Sequence, residues 1–164
     1  MLQIQLTQGK VALIDDRDLE LVSQFSWVAA KDHNHDIWYA QANIKAPTGT
    51  RTTVTMHRLI MSAPKGKLVD HRNGDGLDNQ RSNLRFCTHA ENSRNMANCK
   101  PHSSRFKGVS WHRGKGRWTA QICTNRKLRS LGAFDSELEA AAAYNAAAKI
   151  YHGEFARLNE LATA

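Results

Sequence analysis

Asp70 and His71 stand side by side, Asn83 follows in the run Asp78-Asn79-Gln80-Arg81-Ser82-Asn83-Leu84-Arg85, and Asn92 lies in Ala90-Glu91-Asn92-Ser93. A carboxylate, an imidazole and two amides thus fall within 23 residues. Carboxylate and amide oxygens suit a hard divalent cation, and a histidine of ordinary pKa can take a proton from water near neutral pH. Phosphodiester hydrolysis requires that combination: an attacking hydroxide, relief of charge at the phosphate, and help for the leaving oxygen. Asp70 offers a charged ligand and Asn92 a neutral one. Together they leave coordination positions for waters and substrate oxygens, as Mg²⁺ prefers.

The elements that must position these groups can be read locally. Leu68-Val69-Asp70 reads as a strand end, and Asn73-Gly74-Asp75-Gly76 is a strong turn signal because Asn-Gly and Asp-Gly tolerate positive φ. Leu84-Arg85-Phe86-Cys87 reads as the returning strand. Thr88-His89-Ala90-Glu91 fits a capping box that opens a helix, with Asn92 near its first turn. Successive strand residues point to opposite faces. Asp70 and His71 can therefore serve one phosphate only if the strand ends or bends there, which the following loop permits.

This order and spacing resemble the HNH nuclease motif, more closely the subgroup found in phage-type homing endonucleases. The match spans residues 4–95 and includes Leu6-Thr7-Gln8-Gly9-Lys10-Val11-Ala12-Leu13-Ile14-Asp15-Asp16. The resemblance implies that His71 is the general base and that Asp70 and Asn92 hold one divalent metal, Mg²⁺ foremost and Mn²⁺ next. Asn83 would tie the intervening loop so that His71 is oriented, with Asn79 able to share that work. His57, in Met56-His57-Arg58-Leu59-Ile60-Met61, matches a segment common upstream of the motif and is given no catalytic role. Taken singly, Asp-His is an ordinary hydrogen-bonded surface pair and the two asparagines are loop and cap residues. The joint spacing on a strand–loop–strand–helix frame raises the nuclease reading above these.

Charge distinguishes the second half of the chain. The net charge is +8, residues 1–60 carry six Lys/Arg against six Asp/Glu, and residues 92–134 carry ten Lys/Arg with no carboxylate. Such a stretch is an electrostatic footprint for phosphates. Phe106, Val109, Trp111, Trp118, Ile122, Leu128, Leu131 and Phe134 interleave with the charges, so the stretch can bury one face and fold. Three strand-like segments, 107–112, 117–123 and 127–131, precede an alanine-rich helix over 137–151 that opens on the cap Ser136-Glu137-Leu138-Glu139. Phe106-Lys107-Gly108-Val109-Ser110-Trp111, Arg117-Trp118-Thr119-Ala120-Gln121-Ile122, Leu131-Gly132-Ala133-Phe134 and the ending Gly153-Glu154-Phe155-Ala156-Arg157-Leu158-Asn159 resemble the AP2 DNA-binding domain. That family lays a three-stranded sheet in the major groove with the helix behind. The resemblance implies DNA-facing roles for Lys107, His112, Arg113, Arg117, Arg126 and Arg129, with Trp111 an addition and Trp118 either core or interface. Plant members usually carry arginine where this chain has Ser110 and a large aromatic near Ser130, so their sequence preference does not transfer.

The expected fold class is α+β: a ββα-metal HNH nuclease module with N-terminal strands, then an AP2-like three-stranded antiparallel sheet packed on one helix. The expected domains are 1–97 (motif core 66–95), a linker over 98–104, and 105–159. Residues 1–60 read as short strands with a helical turn at residues 15–22, Trp27-Val28-Ala29 and Ile37-Trp38-Tyr39-Ala40 as a hairpin, and Thr52-Thr53-Val54-Thr55-Met56 as an alternating strand. No apolar run is long enough to span a membrane and the N-terminus has no signal-peptide pattern. Three cysteines without CxxC spacing suit a reduced, cytoplasmic protein. Cys87, His89, Cys99 and His102 could supply four zinc ligands, although neither pair has zinc-finger spacing; Cys123 reads as a small core residue.

The resulting expectation is a site-directed, metal-dependent DNA endonuclease with double-stranded DNA as partner. The alternative is a non-catalytic AP2-type DNA-binding regulator carrying a decayed HNH module. One copy of each module favours a monomer that nicks, a dimer also being consistent.

Overall fold

The computed structural model describes residues 1–33, 36–45, 49–97 and 103–161. The chain divides into two compact units, Met1–Asn92 and Ser93–Ala164, built of small antiparallel sheets and few helices.

In the first unit β1 (Leu2–Gln5) and β2 (Val11–Ile14) form a hairpin, and the short α1 (Leu19–Val22) follows. Strands β3 (Val28–Asp32), β4 (Ile37–Lys45) and β5 (Arg51–Thr55) form a meander. The alternating run expected to continue through Met56 stops at Thr55. Met56 is fully buried and opens α2 (Met56–Ile60), so burial redirects the chain where propensity alone favoured extension. Ile14, Val22, Trp27, Met56 and Ile60 form the core with Leu84. Leu84 begins β7 (Leu84–Cys87), which pairs with β6 (Leu68–His71). Helix α3 (His89–Asn95) comes next; the Glu91 carboxylate accepts from the Thr88 amide at 2.7 Å, and Thr88 Oγ1 accepts from the Glu91 amide at 3.2 Å.

In the second unit β8 (Val109–His112), β9 (Arg117–Thr124) and β10 (Lys127–Phe134) form an antiparallel sheet in the order β10-β9-β8. Helix α4 (Glu137–His152) is opened by a full Ser136/Glu139 capping box. Its alanines 140, 141, 147 and 148 are buried, and lacking bulk they let the helix lie close over Val109, Ala120 and Ile122. Gly108, at φ +74, is required there: a Cβ would enter the Tyr144 ring and come within 2.6 Å of the Gln121 carbonyl. The chain end is tied back through Asn159, which accepts from the Lys107 amide at 2.7 Å and exchanges hydrogen bonds with Asn145 of α4. Among the described residues no helix is long and apolar enough to cross a membrane.

Candidate active site and nucleic-acid interface

Strand β6 ends at His71, and the register of the β6–β7 hairpin sets the site. Asp70 lies opposite Arg85 and His71 opposite Leu84, so carboxylate and imidazole leave the strand on different faces. On one face Arg85 donates from Nε (2.9 Å) and Nη2 (2.7 Å) to Oδ2 of Asp70, both side chains being buried. On the other, His71 is turned toward the core that Leu84 enters.

The loop after His71 is held by side chains and by a parallel bridge to β2. Asn83 donates from Nδ2 to the Asn73 side chain (3.0 Å) and the Asp78 carbonyl (2.8 Å), and its Oδ1 accepts from the Asn73 amide at 3.0 Å. Asp78 accepts from the Asn73 amide group at 2.8 Å and from Gln80 at 2.9 Å. Asn79 is fully buried; its backbone amide bonds the Leu13 carbonyl of β2 at 2.8 Å, and Leu13 returns a bond to the Leu77 carbonyl at 2.9 Å. Arg81 forks onto buried Asp18 at 2.7–3.1 Å and its amide donates to Asp15. The N-terminal hairpin and its acidic turn, to which the sequence assigned no chemistry, therefore anchor the site loop. Sequence separations of 63–66 residues left no local signal for this.

Two further rings meet His71. The His57 ring of α2 stands edge-on to it, and Tyr39 of β4 lies 5.9 Å from His71 and 5.7 Å from His57, centroid to centroid. His57 Nε2 is hydrogen bonded to Thr55 Oγ1 at 3.1 Å, while its buried Nδ1 has no hydrogen-bond partner among the described residues. Gly76 lets the loop close onto this cluster: a Cβ there would strike the Trp38 carbonyl and the Tyr39 ring. Burial, then the neighbouring His71 and Arg58, push the His57 pKa down to about 3. Burial also lowers His71, opposed by the Asn79 side chain and by the carboxylates of Asp70, Asp75 and Asp78. His71 is thus a neutral imidazole at pH 7. Asn92 lies on α3, its amide bonded to the Thr88 carbonyl.

Of the four residues that could supply zinc ligands, Cys87 is buried with its thiol pushed up to about 11, and Cys99 and His102 lie outside the described residues. Among the described residues no group of three or more His, Cys, Asp or Glu could hold a metal ion.

Strand parity sorts the residues expected to face DNA. Val109, Ala120 and Ile122 point at α4, so Ser110, His112, Arg117, Thr119, Gln121, Cys123, Leu128 and Ser130 share the open face. His112 and Arg117 are on it; Arg117 also pairs with Asp135 at 2.8 Å. Arg113 and Arg126 sit on turns at the strand ends. Trp111 lies opposite Trp118 on the helix side, the rings meeting edge-on at 5.2 Å. Arg129, opposite Ile122, is also on the helix side, donating to Thr124 Oγ1 at 2.8 Å with its guanidinium over the Tyr151 ring. Lys107 turns its ammonium to the carbonyls of Arg94 and Met96, both at 2.6 Å, which supply the negative end of a helix terminus. Trp111 and Arg129 thus leave their strands on the face opposite the open one, while both remain exposed. Cys123 corrects the sequence reading: it is exposed on the open face, not in the core. The alternation around Ile122 carried this information, and counting outward from it would have found Gln121 and Leu128.

Comparison with known families places both units. A family model for the HNH endonuclease matches residues 56–94 and one for the AP2 domain matches residues 104–154. Protein 3.8 of Escherichia phage T7 is 34% identical over 94 residues, covering 57% of this chain and 77% of the phage protein. An uncharacterized HNH endonuclease of Acanthamoeba polyphaga mimivirus is 27% identical over 154 residues, covering 94% of this chain and 77% of the viral one. The fold and these matches define a nuclease-type or DNA-binding protein. The chain carries an HNH endonuclease domain and an AP2 domain; both domain types imply binding to DNA, and HNH nucleases generally use a divalent metal.

Proposed function

We propose that this chain is a site-directed DNA endonuclease of the homing type, in which the HNH module hydrolyses one phosphodiester bond and the AP2 sheet supplies target choice. The observation that carries this reading is His71, a buried imidazole kept neutral at the end of β6 beside an asparagine-braced loop. A neutral imidazole accepts the proton of an attacking water. Asn83 fixes the loop that follows the base, and the His57 and Tyr39 rings fix its plane.

Asp70 and Asn92 would hold the divalent ion. One carboxylate and one amide oxygen are hard donors, and so small a protein ligand set is what Mg²⁺ accepts when waters and phosphate oxygens complete its shell. When bound, the ion supplies charge stabilisation at the phosphate and the leaving oxygen. Arg85 donates to Oδ2 of Asp70 from Nε and Nη2, which holds the carboxylate in a fixed orientation at the end of β6. The remaining positive charge on Arg113, Arg126 and Arg117 suits phosphate contacts along the duplex.

The same Arg85 favours a second reading. A guanidinium on Asp70 already balances its charge, as in a DNA-binding protein whose HNH module no longer cuts. Supercoiled-plasmid cleavage with Mg²⁺ or Mn²⁺, with EDTA, and with His71→Ala separates the two. Metal-dependent nicks lost in the variant, with DNA affinity kept, are expected. A folded, DNA-binding protein that leaves both plasmid and its source genomic DNA intact in either metal would overturn the nuclease reading in favour of the second.

A further inference from the structure

The open face of the β8–β10 sheet is chemically unlike its rim. The rim is cationic, with Arg113, Lys115 and Arg126 on the two turns and Lys127 at the start of β10. The face itself presents uncharged groups in register: Gln121 directly opposite Ser130, and one step along Cys123 directly opposite Leu128. Leu128 is 66% exposed, and an exposed leucine opposite an exposed cysteine forms an apolar pair aimed away from α4. Ser110 and Thr119 use their hydroxyls on one another and on the Ser110 carbonyl. Arg117, the face's arginine, is paired with Asp135, and His112 caps the turn at Lys115.

We infer that this face reads A·T base pairs, with Gln121 as the adenine-contacting residue and the Cys123–Leu128 pair as the contact for the thymine methyl group. The inference rests on the reading of the AP2 sheet as a DNA-binding surface. A primary amide has one donor and one acceptor in the spacing of adenine N6 and N7, and the thymine 5-methyl is the one apolar group on the major-groove floor. Guanine recognition most often uses an arginine fork, and here the face offers only a carboxylate-paired one. A two- or three-stranded ribbon fits the major groove, and residues two apart along β9 are about 7 Å apart, so Gln121 and Cys123 meet base pairs about two rises apart. The basic rim, free of carboxylates over residues 92–134, matches the phosphates on either side. Phosphates position while the face specifies.

The test uses the full chain in EDTA, so that cleavage does not interfere. A randomised duplex selection gives the preferred site. That site is then remade with deoxyuridine for thymidine, which removes only the methyl group, and with 7-deazaadenine, which removes only N7. Alkylation of Cys123, followed by peptide mass, reports whether DNA covers the face. The inference expects an A·T-containing core, Cys123 protected by DNA, and a several-fold loss on methyl removal that disappears in Leu128→Ala. Loss of N7 should weaken binding roughly ten-fold, and Gln121→Ala should erase that difference. Leu128 and Gln121 are exposed, and unchanged melting of both variants confirms that they fold. A site defined by G·C pairs, or indifference to both base analogues while Cys123 is protected, would overturn the base assignment and leave the DNA-binding surface standing. Cys123 alkylated equally with and without DNA, under conditions where DNA is bound, would overturn the surface itself.

Discussion

The imidazole of His57 stands edge-on to that of His71, with ring centroids 4.9 Å apart and planes at 83°. The two residues come from different elements, α2 and β6, and Tyr39 of β4 closes the group. A ring packed on two sides has few rotamers left. His71 is therefore held by shape, and this arrangement leads to the first prediction.

His57→Ala should slow single-turnover nicking by roughly 10- to 100-fold, the size of effect that a misplacement near 1 Å produces, while DNA affinity stays unchanged. His57→Phe, which keeps a ring, should recover part of the rate. Equal loss in both variants would show that the ring does not act through His71.

Stability should fall as pH drops through the histidine range. The folded His57 pKa of about 3 lies below its ordinary 6.5. Below pH 6.5 the unfolded chain therefore binds a proton that the folded chain refuses. The stability from this group is full above pH 6.5 and is lost progressively toward pH 3, amounting to a few kcal/mol. Burial lowers His71 and His152 in the same direction. Urea midpoints measured from pH 7.5 to 4 should fall less steeply in His57→Gln than in the parent chain; parallel curves would contradict the assignment.

Breaking the Asp70–Arg85 pair from the arginine side should be costly. Arg85→Met leaves a buried carboxylate uncompensated, worth about 3–5 kcal/mol. The double variant Asp70→Asn/Arg85→Met should recover much of that. If Asp70 is a cation ligand, Mg²⁺ should raise the melting temperature of Arg85→Met more than that of the parent chain, which thermal melts with and without the ion will read.

The cysteines should differ in reactivity. Cys87 is buried and its thiol is pushed up to about 11, whereas Cys123 is exposed. Brief iodoacetamide treatment of the native protein should label Cys123 well before Cys87, with the difference abolished in denaturant. Equal native labelling would place Cys87 at the surface.

Much of this protein was determined by local sequence. The caps at Thr88/Glu91 and Ser136/Glu139 are satisfied within three residues, the Asn73-Gly74-Asp75-Gly76 turn is written in its φ preferences, and β6, β7 and α4 fall where alternation and alanine content put them. The spacing of Asp70, His71, Asn83 and Asn92 was legible for the same reason: a motif is a local pattern. What tertiary structure decided is whatever depends on register or on distant contact. A strand turns over with a shift of one residue, so pairing, not composition, put Trp111 and Arg129 on the helix side and Cys123 and Leu128 on the open face. Pairing likewise set Arg85 against Asp70. Asp18 meets Arg81 and His57 meets His71 only because the N-terminal strands and α2 fold onto the site loop, and the Lys107 ammonium reaches the Arg94 and Met96 carbonyls by the same kind of distant contact. Residue type states what a side chain can do; the register and the long-range contacts determine what it touches.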